Sequence, residues 1–281
     1  MNWEMLSSLG GRRSCWADIW VRSGWRVREH ATMPIAELVD PHGEVAVSGT
    51  VEECLTAARR QAPKSGRRHA AILMHGLNRS HRSMRHLAAR LDALGWEVAN
   101  LDYPSPFRPL EAHAQQALGV ARTLVEDGAE RVAFVGHSLG GLVGRLALAK
   151  DWPGDRAVFI GSPNRGAALA DWLSHLPGYG IITGAVGRVV TPVGAADLPV
   201  PGGEIGIVAG GTGGFGFNPW LGEDNDGMIR VSETRLGGAE ADFNLLPVLH
   251  ATMPRDRDVI EATTGFLIDG TFRNRSFRRN A

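Results

Sequence analysis

Four β-favouring apolar residues, Val132 to Val135, run without polar interruption into Gly-His-Ser-Leu-Gly-Gly at 136–141 and then into a stretch with near-helical apolar spacing. A strand lacking polar alternation is covered on both faces, which is the condition of a parallel sheet rather than of a half-solvated one. The apolar positions Leu142, Val143, Leu146 and Leu148 to Ala149 make the following segment a helix. Ser138 therefore stands on a sharp turn between a buried strand and a helix. Gly136 and Gly140 leave room where a side chain would collide across so tight a turn, and glycine tolerates strained backbone angles. G-x-S-x-G in this strand-turn-helix setting is a nucleophile elbow, which exposes a serine hydroxyl at the edge of the sheet.

The pattern on either side is regular. Strands are expected at 70–74, 96–101, 131–135, 156–160 and 204–210, with helices at 83–94, 109–126 and 141–150 between them. Such alternation specifies an α/β fold with a mostly parallel, doubly wound sheet and right-handed crossovers. Residues 25–49 carry short strands, Trp25 to Arg28, Ile35 to Val39 and Glu44 to Val47, with a turn at Asp-Pro-His-Gly. Thr50 and Glu53 then have the spacing of a capping box that starts a helix. Nearer the beginning, Trp16, Ile19 and Trp20 are spaced for one face of a helix that could dock on the core or cover a pocket mouth.

Composition excludes several classes. The 281 residues contain 30 basic and 30 acidic side chains with the cations scattered, so no nucleic-acid surface is expected. No apolar run approaches the roughly 18 residues needed to span a bilayer. The paired arginines of Gly-Gly-Arg-Arg-Ser are followed by a short segment interrupted by Asp18 and Arg22, not by an export signal's apolar core, so a cytoplasmic protein is expected. In that setting Cys15 and Cys54 are expected as reduced thiols, and their spacing with other residues suggests no metal site.

A serine hydroxyl is too weakly acidic to attack a carbonyl unaided, so the elbow requires a base and a group that orients the base. Elbow enzymes place these partners after the serine, acid first and histidine last, which leaves His175 and His250 as bases. His250 is preferred because it lies in a loop entering the final helix, from where it can swing over the end of the sheet. Glu223, Asp224 and Asp226 follow the strand at 204–210; Asp226 precedes Gly227, which allows a tight turn, and is preferred over Asp224, with Asp242 third. Two backbone donors are expected for a developing oxyanion: the Leu139 amide after the nucleophile, and the Leu77 amide in the loop beside Gly76. His75 and His137 precede the acid and read as structural supports of these loops.

Taken together, LMHGLNRS at 73–80, GHSLGG, GSPNRGAALADWL at 161–173, DNDGMIRV at 224–231 and LPVLHATM at 246–253 resemble the α/β-hydrolase superfamily, in its bacterial lipase and esterase branch. The resemblance covers roughly residues 68–270. It implies an α/β-hydrolase fold and an acyl-enzyme mechanism without cofactor, with Ser138, Asp226 and His250 as triad. Its Asn-Asp-Gly pattern at the acid also favours Asp226. Residues 1–67 are then an N-terminal extension and residues 68–281 the catalytic domain, with a cap or lid insertion at about 165–203.

That insertion combines Leu169, Trp172, Leu173, Leu176 and Tyr179 with many glycines and prolines, which suits a hinged apolar cap over an acyl chain; an ordinary pair of packed helices would look similar. Trp172 and Leu176 are the expected pocket residues from the cap. Phe217 and Trp220, with Phe215, are expected to line the pocket from the glycine-rich loop 210–220, which runs into Asn-Pro rather than a helix and so is not a dinucleotide loop. The expected activity is hydrolysis of small-molecule carboxylic esters with an apolar acyl group. A thioesterase or lipid deacylase would use the same residues, and a catalytically silent receptor or scaffold would keep only the fold.

Overall fold

The computed structural model describes residues 15–272. Strands β5 (His69–Met74), β6 (Glu97–Leu101), β7 (Arg131–His137), β8 (Arg156–Ile160), β9 (Glu204–Gly210) and β10 (Asp242–Leu246) form one sheet of six parallel strands in the order β10-β9-β8-β7-β5-β6. The apolar run at 132–135 is explained by its neighbours. Val132 and Phe134 enter one core layer, under helices α3 (Leu110–Glu126) and α4 (Leu139–Leu148). Ala133 and Val135 enter the other, under α2 (Arg85–Ala93) and α8 (Arg257–Asp269). Both faces are buried along 132–135, so that run has no polar position, while Arg131 and His137 stand at the ends of the strand.

The sheet is an α/β-hydrolase fold, and the strands and helices read from residues 70–210 fall within a few residues of their expected places. β10 had no counterpart in the sequence reading: its five residues are all half-buried and read Asp-Phe-Asn-Leu-Leu, too short and mixed for a period. Asp242, the third candidate acid, starts this strand, and its carboxylate accepts the Phe272 N–H at 2.6 Å.

A second sheet precedes the first. Strands β1 (Trp16–Arg22), β2 (Trp25–His30), β3 (Ala36–Val39) and β4 (Val45–Gly49) form an antiparallel meander, covered by α1 (Val51–Gln61). Thr50 and Glu53 cap α1 reciprocally: the Glu53 N–H donates to Thr50 Oγ1 at 3.2 Å and the Thr50 N–H to Glu53 Oε2 at 2.8 Å. Trp20, Val27, Leu38, Cys54 and Ala58 make a core of their own. Cys15 and Cys54 are not joined to each other.

The expected helix through Trp16, Ile19 and Trp20 is a strand. The ladder with β2 slips between Asp18 and Trp20, leaving Ile19 as an extra bulged residue. One inserted residue breaks the two-residue alternation, so positions 16, 19 and 20 acquire a spacing that imitates a helix. β1 packs against α3, and Val21 lies in the same core layer as α3 and α4. Asp18 joins the two sheets: its backbone N–H donates to the Asp102 carbonyl at 3.0 Å, and its Oδ2 accepts the Asp102 N–H at 2.6 Å and an Arg26 N–H at 2.8 Å. Among the described residues, no helix is long and apolar enough to cross a membrane.

Candidate active site

The site is assembled from the elbow outward. Ser138 has φ 55°, a left-handed backbone that a non-glycine residue adopts only under external constraint. The constraint comes from close packing of backbone on backbone. A Cβ on Gly136 would lie 2.4 Å from the Gly140 carbonyl, and a Cβ on Gly140 would lie 2.3 Å from the Met74 oxygen at the end of β5. With no side chain at either position, α4 can begin directly over the ends of β7 and β5, and the Ser138 side chain stands on the outside of the bend.

His250, in the segment after β10, reaches this serine: Nε2 lies 3.0 Å from Ser138 Oγ. Its Nδ1 lies 2.7 Å from Asp226 Oδ2. With the carboxylate as acceptor, Nδ1 carries the proton and Nε2 is left to accept from the hydroxyl. Asp226 is itself fixed: Oδ1 accepts the N–H groups of Met228 at 3.0 Å and Ile229 at 2.7 Å, and the His250 N–H donates to the Asp226 carbonyl at 2.9 Å. Gly161 and Gly210 make room for the pair, since a Cβ on Gly161 would press on His250 Nδ1 at 3.2 Å and one on Gly210 on the Asp226 Cβ at 2.6 Å.

The competing candidates lie elsewhere. Asp224 accepts the N–H groups of Thr212 at 2.8 Å and Gly213 at 2.9 Å, closing its own loop. Glu223 pairs with Arg230. His175 is exposed at the end of helix α5 (Ala168–Ser174). No cluster of three or more potential metal ligands occurs among the described residues.

Two further histidines brace the loops. His137 Nε2 donates to the His250 carbonyl at 3.1 Å, and burial, followed by the neighbouring His250, pushes its imidazole well below the ordinary range. His75 Nδ1 donates to the Gly76 carbonyl at 2.8 Å, its ring stacks on Tyr103 at 4.2 Å, and burial lowers it to about 4. The Tyr103 hydroxyl donates to the His75 carbonyl at 2.5 Å, and the Asn78 N–H to Ser105 Oγ at 3.0 Å. These bonds hold the loop that carries Leu77, which borders the same cavity as Leu139 and Ser138.

The cavity above Ser138 has a volume of about 410 Å³. The segment from 165 to 203 supplies much of its wall through α5 and α6 (Tyr179–Thr183), while the short helix α7 (Pro192–Ala196) does not line it. Leu169, Leu173, Leu176, Ile182 and Val190 face it, with Ile229 beside the acid. Of the four expected pocket residues only Leu176 is among them. Trp172 is 64% exposed on the outer side of α5, one residue from the inward Leu173, as a helix requires. Phe217 and Trp220 are also outside, 39% and 94% exposed, and Phe215 is 87% exposed. The reason is that their loop closes on itself. Besides the Asp224 bonds, the Phe217 N–H donates to the Asn225 carbonyl at 3.2 Å, and Asn225 Nδ2 to the Asn218 and Glu223 carbonyls at 2.9 and 2.7 Å. These bonds fill the loop interior with polar groups and turn the aromatic rings to solvent.

Sequence reasoning passed over Arg145, in the elbow helix. Its buried guanidinium donates to the carbonyls of Pro199 at 3.0 Å, Ala195 at 3.2 Å, Asn164 and Leu198, tying both ends of the 165–203 segment to α4. An arginine within an otherwise apolar helix pattern was the available signal.

The family model of the Alpha/beta hydrolase family matches residues 71–268, and the chain belongs to that family. The fold is shared with the mature form of a Bacillus licheniformis lipase, 19% identical with a TM-score of 0.53 over 74% of this chain and 92% of that one. A carboxylesterase of the thaumarchaeon Nitrososphaera gargenis is 13% identical, with a TM-score of 0.50 over 73% of this chain and 92% of that one. A lipase-esterase related protein from Clostridium acetobutylicum is 10% identical, with a TM-score of 0.50 over 72% and 96%. No curated protein matches the chain by sequence.

The buried histidines imply a pH response of stability. His75 and His113 are both held at about 4 by burial, against 6.5 for an exposed imidazole, and His137 lies well below it too. The folded state thus binds fewer protons than the unfolded state as pH falls below about 6.5. Stability present above that pH is lost toward pH 4, by on the order of several kcal/mol in all. Thermal unfolding should show Tm falling between about pH 7 and about pH 5, less steeply in His113→Phe; an unchanged Tm across that interval would contradict the burial argument.

Proposed function

We propose that this protein is a serine carboxylester hydrolase that works through an acyl-enzyme on esters with an apolar acyl group. The observation that carries the reading is the pair of contacts Ser138 Oγ to His250 Nε2 at 3.0 Å and His250 Nδ1 to Asp226 Oδ2 at 2.7 Å, opening into an apolar cavity. His250 takes the Ser138 proton as the hydroxyl attacks the ester carbonyl, then returns it to the leaving alcohol. Asp226 keeps Nδ1 protonated and the ring oriented, and stabilises the imidazolium that forms. The Leu77 and Leu139 amides receive the oxyanion, each such donor contributing about 3 to 4 kcal/mol to the transition state. Water repeats the sequence on the acyl-enzyme.

A fluorophosphonate probe should label the protein at Ser138, and Ser138→Ala should lose labelling together with ester hydrolysis, by on the order of 10⁶ in kcat. An unlabelled but folded protein would leave the reading of a catalytically silent member of the fold. Asp226→Asn should cost roughly 10⁴ in kcat, whereas Asp224→Asn should cost little beyond the stability of its loop. Retention of activity by Asp226→Asn would remove it from the proposed triad.

We also assign the acyl group to the cap side of the cavity. Leu173→Ala and Leu176→Ala should then lower kcat/KM progressively more for longer acyl esters, by about 0.8 kcal/mol for each methylene no longer buried. Trp172→Ala, on the outer face of the same helix, is the control and should leave the chain-length profile in place. A flat profile change in all three variants would exclude the cap from acyl binding.

A further inference from the structure

The wall of the cavity is apolar or uncharged except at one point: the two histidines aside, Arg79 is the one ionisable cation bordering it among the described residues, and no carboxylate borders it. Arg79 is two residues beyond Leu77, and its position is fixed by the backbone. Its N–H donates to the Gly76 carbonyl at 3.2 Å, closing a turn, and the preceding Asn78 is held on both sides, by Ser105 Oγ and by the Ile182 carbonyl of the cap at 2.9 Å. The side chain itself is exposed and makes no hydrogen bond or ion pair within the described residues.

An unpaired arginine on open surface signifies little, because water satisfies it. Arg79 differs in that it borders the cavity that holds Ser138 while its side chain stays open to solvent. A neutral substrate that covers the guanidinium strips water from it without replacing the hydrogen bonds, whereas an anionic oxygen group forms charge-assisted, bidentate ones. The low-dielectric wall on the other side strengthens that difference. The charge is also felt inside the site, where after burial and His250 it contributes to keeping His137 neutral.

We propose that Arg79 is a specificity-determining residue that binds an anionic oxygen group carried on the alcohol part of the substrate, so that the preferred substrates are acyl esters of an anionic alcohol such as a phosphate monoester. The inference rests on the ester-hydrolase reading. The acyl chain takes the apolar cap side toward Leu169, Leu173 and Val190, and the ester carbonyl lies over Ser138. The alcohol is then left at the mouth, where Arg79 is exposed. Arg79 takes no part in bond making; it positions and selects.

The test compares kcat/KM for a short-chain monoacylglycerol and for the phosphate monoester of the same monoacylglycerol, both below their aggregation concentrations. The parent protein should favour the phosphate ester by about tenfold to a hundredfold at low salt, with the ratio shrinking as ionic strength rises. Arg79→Gln should bring the ratio close to one, and Arg79→Lys should keep part of it. Equal rates on both esters in the parent protein, or a ratio that survives Arg79→Gln, would overturn the proposal. Inorganic phosphate separates an attached anion from a free one: strong competitive inhibition of neutral-ester hydrolysis that Arg79→Gln abolishes would make this a free-anion site and overturn the substrate assignment. Calorimetric binding of the two esters to Ser138→Ala, with and without Arg79→Gln, keeps the two readings apart. A binding preference that depends on Arg79 without any hydrolysis by the parent would sustain the anion site and sink the hydrolase, while Ser138-dependent hydrolysis with no preference would do the reverse.

Discussion

The approach of backbone to backbone at the Ser138 elbow is the interaction on which the rest of the site depends. A left-handed φ at a serine costs on the order of 1 to 3 kcal/mol and persists only where its surroundings leave no alternative. Here the alternative is closed by β7, which is anchored in the core layers on both faces of the sheet, and by α4, which is anchored in one of them. Val132 and Phe134 hold the strand against α3 and α4, and Ala133 and Val135 hold it against α2 and α8. The two missing side chains at Gly136 and Gly140 are what let these elements meet, with the Met74 oxygen as the third party to the approach. Any side chain at either glycine would push α4 away from the sheet and take the serine with it.

The position of the elbow within the sheet matters as much as its shape. The chain lays β6 on one side of β5 and then crosses to build β7, β8, β9 and β10 on the other, so the connections after β5 and β7 leave in opposite directions. A crevice opens between them at the carboxyl ends of the strands, the place where open α/β sheets bind ligands. The loop with Leu77 forms one lip and the elbow the other. Asp226 and His250 arrive from beyond β9 and β10, and the glycines at 161 and 210 let them lie against strand ends that would otherwise be closed.

The four-stranded N-terminal sheet reaches this crevice through buried polar bonds. Asp18 holds the Asp102 backbone, and the Asp102 carboxylate in turn accepts the His81 N–H at 2.7 Å and faces His81 Nδ1 at 2.6 Å. Tyr103, next in the chain, holds the His75 carbonyl. The loop between His75 and His81 is thereby clasped at both ends by residues that follow β6, and these are steadied by β1. Burial raises the Asp18 carboxyl while Arg26 opposes the rise, so the junction is a shielded one whose bonds are not competed for by water.

Local pattern determined a good deal of this molecule. Unbroken apolar runs identified strands with two covered faces, 3.6-residue spacing identified the helices between them, and Gly-x-Ser-x-Gly between the two located Ser138 on a turn. Thr50 and Glu53 announced a helix start, and Asp-Gly at 226–227 singled out the carboxylate that the structure places against His250. These features are legible because they depend on neighbours within a turn or two of chain. The tertiary structure decided whatever depended on distant segments. The bulge at Ile19 turned an apparent helix into β1, because pairing with β2 outweighs the local spacing. The polar interior around Asp224 and Asn225 turned Phe215, Phe217 and Trp220 outward, which no composition reveals, since an aromatic ring's direction follows from what its loop encloses. Arg145 interrupts an apolar helix pattern and Arg79 lies in a polar loop, yet neither pattern names a partner: Arg145 is sealed among four carbonyls and Arg79 is left exposed beside the cavity, because only the folded chain determines which acceptors come within reach.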